Sequence, residues 1–253
     1  MNRPSPDHTA SAAPTFAPAS ASADTDPDTQ AASPTWPAAV LWDLDGTIVD
    51  TEPYWMQAEY DLVAQFGSEW NHHHAQAIVG FDLINAAEYI RAHAHVDLTP
   101  RAIVDWLIER VEAQLDGAIP WRPGARELLA EVHAAGIPNV LVTMSWKRLT
   151  RPIVAALDPG VFTAVIAGDD VPAGQGKPHP TPYRLGAAAA GVDPHDCLAI
   201  EDSPTGATSA LAAGCTVLGV PNVKAIDPAP GLTLHPTLAN LTLPTLARLA
   251  PLA

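Results

Sequence analysis

The sequence predicts an α/β fold in which a Rossmann-like parallel sheet carries helices on both faces, with an α-helical domain inserted after the first strand. From Trp121 onward, short apolar runs rich in β formers alternate with helical patterns, the texture of a parallel sheet buried on both sides. The run 40–44 has the same strand-like character, yet about 70 residues (52–121) with helical patterns alone separate it from the next strand. Reactive side chains stand at the ends of these runs, where ligands of such sheets bind.

Residues 1–37 are rich in Ala, Pro, Ser, Thr and Asp and lack apolar periodicity, which predicts a disordered tail and not a signal peptide. Asp24, Asp26 and Asp28 lack the glycine and glutamate of a calcium loop and read as part of that tail. The catalytic core is predicted over 38–51 and 122–253. Its first strand opens into a tight turn at Asp43-Leu44-Asp45-Gly46, where two residues of extended chain, roughly 6–7 Å, let both acids face one pocket. The helical domain, 52–121, begins with Glu52-Pro53, a helix start, and carries helices at 53–66, 72–79, 84–94 and 100–116. Gly67, the Gly80-Phe81-Asp82 turn and Leu98-Thr99-Pro100 separate them. Strands follow at 139–143, 161–167, 197–201 and 215–220. Helices follow from Pro123-Gly124 to Ala135 and at 147–157, 180–190, 204–213 and 240–250. Because the insertion leaves the sheet beside Asp43, it is placed to cover the site as a lid.

Composition excludes several classes of function. Apolar residues make up 47% of 253 residues, enough for a sizeable core, and no apolar run approaches the roughly 18 residues of a membrane span. A net charge of −15 argues against reading nucleic acid, whose backbone is gripped by clustered Lys and Arg. An anionic substrate must therefore meet local positive charge or a metal. Cys197 and Cys215 lie in apolar strand-like segments and read as reduced, buried thiols, which predicts a cytoplasmic protein. A monomer or weak dimer is expected.

The strand ends carry the chemistry. Val140-Leu141-Val142-Thr143-Met144-Ser145 places hydroxyls where they can donate to a phosphate-like oxyanion, with a helix N-cap as the alternative role of Ser145. Lys177 sits in Gly176-Lys177-Pro178, whose stiff backbone suits a fixed counter-charge. Leu198-Ala199-Ile200-Glu201-Asp202-Ser203 ends an apolar strand in adjacent acids. If Asp43, Asp45, Glu201 and Asp202 converge, their repulsion forces proton uptake unless a divalent cation enters, and adding that ion and Lys177 leaves about one negative charge. Oxygen ligands without His or Cys select a hard cation, and Mg²⁺ habitually bridges to phosphate.

In that order, Asp43-Leu44-Asp45-Gly46-Thr47, Thr143 after three apolar residues, Lys177-Pro178 and Glu201-Asp202-Ser203 resemble the four signature motifs of the haloacid dehalogenase-like hydrolase superfamily. With Asp50-Thr51-Glu52-Pro53 and the Gly80 turn, the chain is most similar to the β-phosphoglucomutase-like branch, and the insertion resembles that family's first type of cap.

The resemblance implies a Mg²⁺-dependent phosphatase that hydrolyses a small phosphomonoester, of sugar or polyol type, through an aspartyl-phosphate. Asp43 is implied as the nucleophile, Asp45 as acid and base, and Thr143 and Lys177 as holders of the transferring group. Asp43, the Asp45 main-chain carbonyl, Asp202 and Glu201 are the implied metal set, with Glu201 bound directly or through a water. Gly46, Ser145, Trp55, Gly80 and Phe81 are the candidate substrate contacts, with ordinary packing as the alternative role of Trp55 and Phe81. Dehalogenases of this fold do without the second acid and the metal, so Asp45 disfavours halide displacement. A phosphosugar mutase carries a cap His and basic residues by the cap glycine; here Trp55 stands at the first position, with Val79, Asp82 and Leu83 around Gly80. A non-catalytic phosphate-binding protein on the same fold is the remaining alternative. Trp121 and Trp146 are further candidates for an aromatic wall or ordinary packing, and Arg122 and Lys147 for anion contacts or surface charges. His72-His73-His74 reads as a solvated helix end, since consecutive helical residues point about 100° apart.

Overall fold

The computed structural model describes Met1 and residues 36–249. Strands β1 (Ala39–Trp42), β2 (Asn139–Val142), β3 (Ala164–Ile166), β4 (Cys197–Glu201), β5 (Thr216–Gly219) and β6 (Leu232–Leu234) form one sheet in the order β3-β2-β1-β4-β5-β6. Every neighbouring pair is parallel. The tail expected over 1–37 falls almost wholly outside the described residues.

Alternation along the central strands divides the core in two. Val40, Trp42, Leu141, Leu198 and Ile200 join one apolar cluster with α5 (Ala125–Ala134), α6 (Lys147–Ala155) and α9 (Leu243–Leu249). Leu41, Val140, Val142 and Ala199 face the other, with α7 (Thr181–Ala190) and α8 (Pro204–Ala213). Both faces are thus covered, which is why these strands read as continuous apolar runs. Asn139 satisfies the polar groups within the first cluster: it accepts from the Trp42 indole at 2.8 Å and donates to the Leu129 and Val161 carbonyls at 3.1 and 3.2 Å.

Between β1 and β2 lie α1 (Glu52–Gln65), α2 (His72–Ile78), α3 (Leu83–Ala94) and α4 (Pro100–Leu115), with α4 packed against both α1 and α3. Their starts are written in the sequence. Asn71, Asp82 and Thr99 each accept a hydrogen bond from the first turn of α2, α3 and α4, while Pro53 and Pro100 occupy early positions where no amide donor is needed. The chain leaves and re-enters the sheet through two paired segments. The Arg122 amide donates to the Ile48 carbonyl and the Asp50 amide to the Pro120 carbonyl, both at 2.8 Å. Asn222 links them laterally, donating to Asp50 and accepting from Arg122.

The sequence missed β6, whose three residues follow Pro228-Ala229-Pro230-Gly231 and are too short to show a period. It also began the last helix three residues early, because Asn240 adopts a left-handed conformation, with φ of 62°, that ends any helix there.

Replacing Asn139 by Ala leaves the buried Trp42 indole without its acceptor and removes a donor from the Leu129 and Val161 carbonyls. Unfolding in urea is expected to show a loss of roughly 2–4 kcal/mol.

Candidate active site

Strand register brings the reactive residues to one edge. Trp42 pairs with Leu141 on one side and Ile200 on the other, so Asp43, Thr143 and Glu201-Asp202 leave three adjacent strands at the same level. The Asp43 amide continues the ladder to the Ile200 carbonyl at 3.0 Å, and the Thr143 amide to Ile166 at 2.9 Å.

Lys177 organises the centre. Its ammonium, on a residue 7% exposed, donates to Glu201 Oε1 at 2.6 Å, Asp43 Oδ1 at 2.7 Å and the Val142 carbonyl at 2.9 Å, which uses all three of its protons. Burial works against that charge, but Asp43 and Glu201 outweigh it and hold the Lys177 pKa above its ordinary value. Glu201 is anchored all round: Oε1 also accepts from the Tyr183 hydroxyl at 2.6 Å, and Oε2 accepts from the Asp202 and Ser203 amides and the Ser203 hydroxyl. Room for it is made by Gly206, where a β-carbon would fall about 2 Å from the carboxylate.

Asp43, Glu201 and Asp202 present carboxylate oxygens within 4.8 Å of one another, the one such metal-competent group among the described residues. Burial raises the Asp43 carboxyl to about 7 against the opposing pull of Lys177. Burial, then Asp43 and Glu201, push Asp202 well above the ordinary range. Three carboxylates against one ammonium leave two negative charges, which one divalent cation balances. Asp43 Oδ2 is buried with no hydrogen-bond partner, and the donor set is all oxygen, so the residues fit a hard divalent ion. Gly46 serves this cluster: with φ of 86°, it lies where a β-carbon would come within 2.0 Å of Asp202 Oδ2.

Asp45 stands apart from that group. Its Oδ1 accepts from the Thr51 hydroxyl at 2.5 Å and the Trp55 indole at 3.4 Å, its Oδ2 from Ser145 at 2.7 Å and Thr143 at 3.3 Å. The two hydroxyls expected to face a bound oxyanion thus hold an acid, and Ser145 is no helix cap, since α6 follows Trp146. Four donors fix the Asp45 carboxylate over the pocket.

That pocket is lined by Asp43, Asp45, Thr143, Ser145, Lys177 and Asp202 on the sheet side, and by Trp55, Gly80 and Phe81 on the helical side. Other candidates lie elsewhere. Trp121 and Trp146 stack under Arg126 and Arg101, Arg122 is bonded to Asn222, and Lys147 pairs with Asp170. His72 and His73 are exposed, while His74 stacks on Trp70 at 4.8 Å. Sequence reasoning missed Glu52 and Glu59, which also line the pocket. A signal was present: 52, 55 and 59 share one helical face, and a carboxylate interrupts the apolar stripe of Ala58, Leu62 and Val63.

The family profile of haloacid dehalogenase-like hydrolases matches residues 37–214. Hexitol phosphatase A of Escherichia coli is 34% identical over 212 residues, covering 77% of this chain and 89% of that protein. (DL)-glycerol-3-phosphatase 2 of Arabidopsis thaliana is 28% identical over 194 residues, covering 73% and 80%. Among solved structures, CbbY of Rhodobacter sphaeroides in complex with phosphate has a TM-score of 0.70 at 27% identity, covering 83% of this chain and 99% of that one.

Burial raises the Glu59 carboxyl from 4.5 to about 8, with Glu52 adding to the shift and the Trp70 indole opposing it. Below pH 4.5 the group is protonated both folded and unfolded. Between there and pH 8 only the unfolded chain releases its proton, so stability falls across that window. Glu59→Gln removes the titration while keeping an acceptor for Trp70. Urea midpoints from pH 5 to 8 are expected to fall less steeply in the variant, by up to a few kcal/mol at the alkaline end.

Proposed function

We propose a specific reaction from one premise: the chain belongs to the haloacid dehalogenase-like hydrolase family and is a phosphoric monoester hydrolase. The reaction is Mg²⁺-dependent hydrolysis of a small sugar or polyol phosphomonoester through an aspartyl-phosphate. The observation that carries it is the pairing of a metal-competent acid cluster around Lys177 with a separate acid, Asp45, fixed beside it.

An Asp43 carboxylate oxygen attacks phosphorus in line, forming an acyl phosphate while the bond to the leaving oxygen breaks. Asp45 gives that oxygen its proton, and the alcohol departs. Asp45, now a carboxylate, takes a proton from water; the water oxygen attacks the same phosphorus, releasing inorganic phosphate and restoring Asp43. Thr51, Trp55, Thr143 and Ser145 keep Asp45 aimed through both steps. Lys177, its three protons engaged by Asp43, Val142 and Glu201, would act on a bound phosphoryl group as a fixed positive charge, while Thr143 holds Asp45 beside it. Asp43, Asp202 and the Asp45 main-chain carbonyl would hold Mg²⁺, with Glu201 behind them because its own oxygens are engaged by Lys177, Tyr183 and Ser203. The ion would neutralise charge gathering on the transferring group. Phosphate-monoester hydrolysis demands on the order of 20 kcal/mol of barrier lowering, and preorganised charge supplies the largest share.

The insertion, 52–121, acts as the cap that sets specificity. The names of the hexitol and glycerol-3-phosphate relatives support a polyol leaving group. Lys177 is the one cation lining the pocket among the described residues, which offers a mutase's second phosphate no separate counter-charge. The two buried free thiols suit a reducing cytoplasm.

Asp43→Asn is expected to lower turnover of every accepted phosphomonoester more than about a thousandfold, as read by phosphate release; near wild-type activity would exclude the mechanism. EDTA is expected to abolish activity, with Mg²⁺ restoring it far better than the larger Ca²⁺. Full turnover in EDTA would remove the metal from the reaction.

A further inference from the structure

We propose that Glu59 selects the leaving group: its carboxyl reads hydroxyls at the far end of the pocket and favours a polyhydroxylated, uncharged alcohol over an alkyl one. The inference rests on the phosphomonoester hydrolysis proposed above and names a residue that decides which ester is used.

Beyond the reacting acids the pocket wall is apolar, formed by Ile78, Phe81, Leu83, Ala86 and Leu107. Into this wall α1 projects Glu52 and Glu59. Glu59 is 6% exposed, and a carboxyl so buried is costly unless its hydrogen-bonding capacity is used. Half of that capacity is used by the protein. Oε2 accepts from the Trp70 indole at 3.1 Å, and Trp70 is itself packed against the neighbouring rings of His74 and Tyr89. Oε1 has no hydrogen bond among the described residues, and the side chain borders the pocket. A group oriented at one oxygen and open at the other is built to meet a ligand hydroxyl.

Position along the helix fits a short polyol. Trp55, which bonds Asp45 beside the departing oxygen, lies four residues from Glu59, about 6 Å along the axis, a span comparable to a chain of five or six carbons. Protonation matches too. With its carboxyl raised to about 8 by burial, Glu59 carries a proton at neutral pH and can both donate and accept, the complement of neighbouring hydroxyls. A purely structural Glu59, present only to satisfy Trp70, would leave the end of the pocket away from Glu52 and Asp45 to the apolar wall, which favours an alkyl chain.

The test compares kcat/KM for a hexitol 6-phosphate and n-hexyl phosphate, which share the phosphoryl group and chain length. The wild type is expected to favour the hexitol ester about tenfold or more, since a site built to bond hydroxyls rejects the analogue lacking them. Glu59→Leu is expected to bring the ratio to within about threefold of unity. Glu59→Gln, which keeps both the Trp70 bond and a donor–acceptor pair, is expected to retain most of it. A folded Glu59→Leu variant with an unchanged ratio overturns the inference, as does a wild type that favours the hexyl ester, whether or not the variant folds. If the wild type with Mg²⁺ hydrolyses neither ester nor p-nitrophenyl phosphate, the hydrolytic reading falls and this inference falls with it.

Discussion

The structure depends on one buried cation held between two acids. The Lys177 ammonium joins the end of β1, through Asp43, to the end of β4, through Glu201, and also bonds the last carbonyl of β2. Stripping an ammonium and three carboxylates of water costs several kcal/mol per ion, which close pairing only partly offsets. The cluster is therefore a poor device for stability and a good one for function. It holds Asp43, the proposed nucleophile, at fixed position with one oxygen bonded and the other free, and it keeps surplus negative charge that a metal can answer. Tyr183 and the Glu201-Asp202-Ser203 turn share the task by fixing Glu201, leaving Asp202 for the proposed ion.

Geometry of this kind needs three strands to end at the same level. The sheet provides it because its central strands are buried on both faces, where a slip of one residue would exchange the two apolar clusters. Asn139 adds a constraint deeper in, tying Trp42 to the chain at Leu129 and Val161. Apolar packing thus sets the level, and the charged residues beyond the strand ends inherit their alignment.

How much of this was legible in the sequence follows from the range of each interaction. Strand ends at Asp43, Thr143 and Glu201 were legible because apolar runs stop there abruptly, and the helix starts at Asn71, Asp82 and Thr99 because capping is local. The partners that fix each acid were not. A separate role for Asp45 came only from the family resemblance, and the chain gave no sign of the partners that hold it, Thr51, Trp55, Thr143 and Ser145, up to 100 residues away. Side-chain direction at a turn such as Asp45-Gly46 is set by those distant donors, and no period in the chain encodes it. Glu59 was overlooked for a related reason: a lone acid on a helix reads as surface until its neighbours are known, and burial comes from α1 packing on α4.

In the proposed reaction the helical insertion couples chemistry to choice of substrate through a single element. Helix α1 begins beside the first paired segment, sends the Trp55 indole to Asp45, and one turn later presents Glu59 to the pocket. Contacts from the sheet side fix its neighbours: Lys224 donates to the Val79 carbonyl at 2.9 Å, and Gly80 lies against Ser203 and Thr205 just after the metal-competent acids. A leaving group that fits Glu59 therefore stabilises the same helix position that orients the acid needed to protonate it. One that does not fit loses both binding and proton transfer, so discrimination appears in kcat as well as KM. The apolar wall alone could tell a large alcohol from a small one but has no means of counting hydroxyls. Selectivity for a polyol requires a buried polar group that is incomplete without it, and on this wall Glu59 meets that description, held at one oxygen by Trp70 and open at the other.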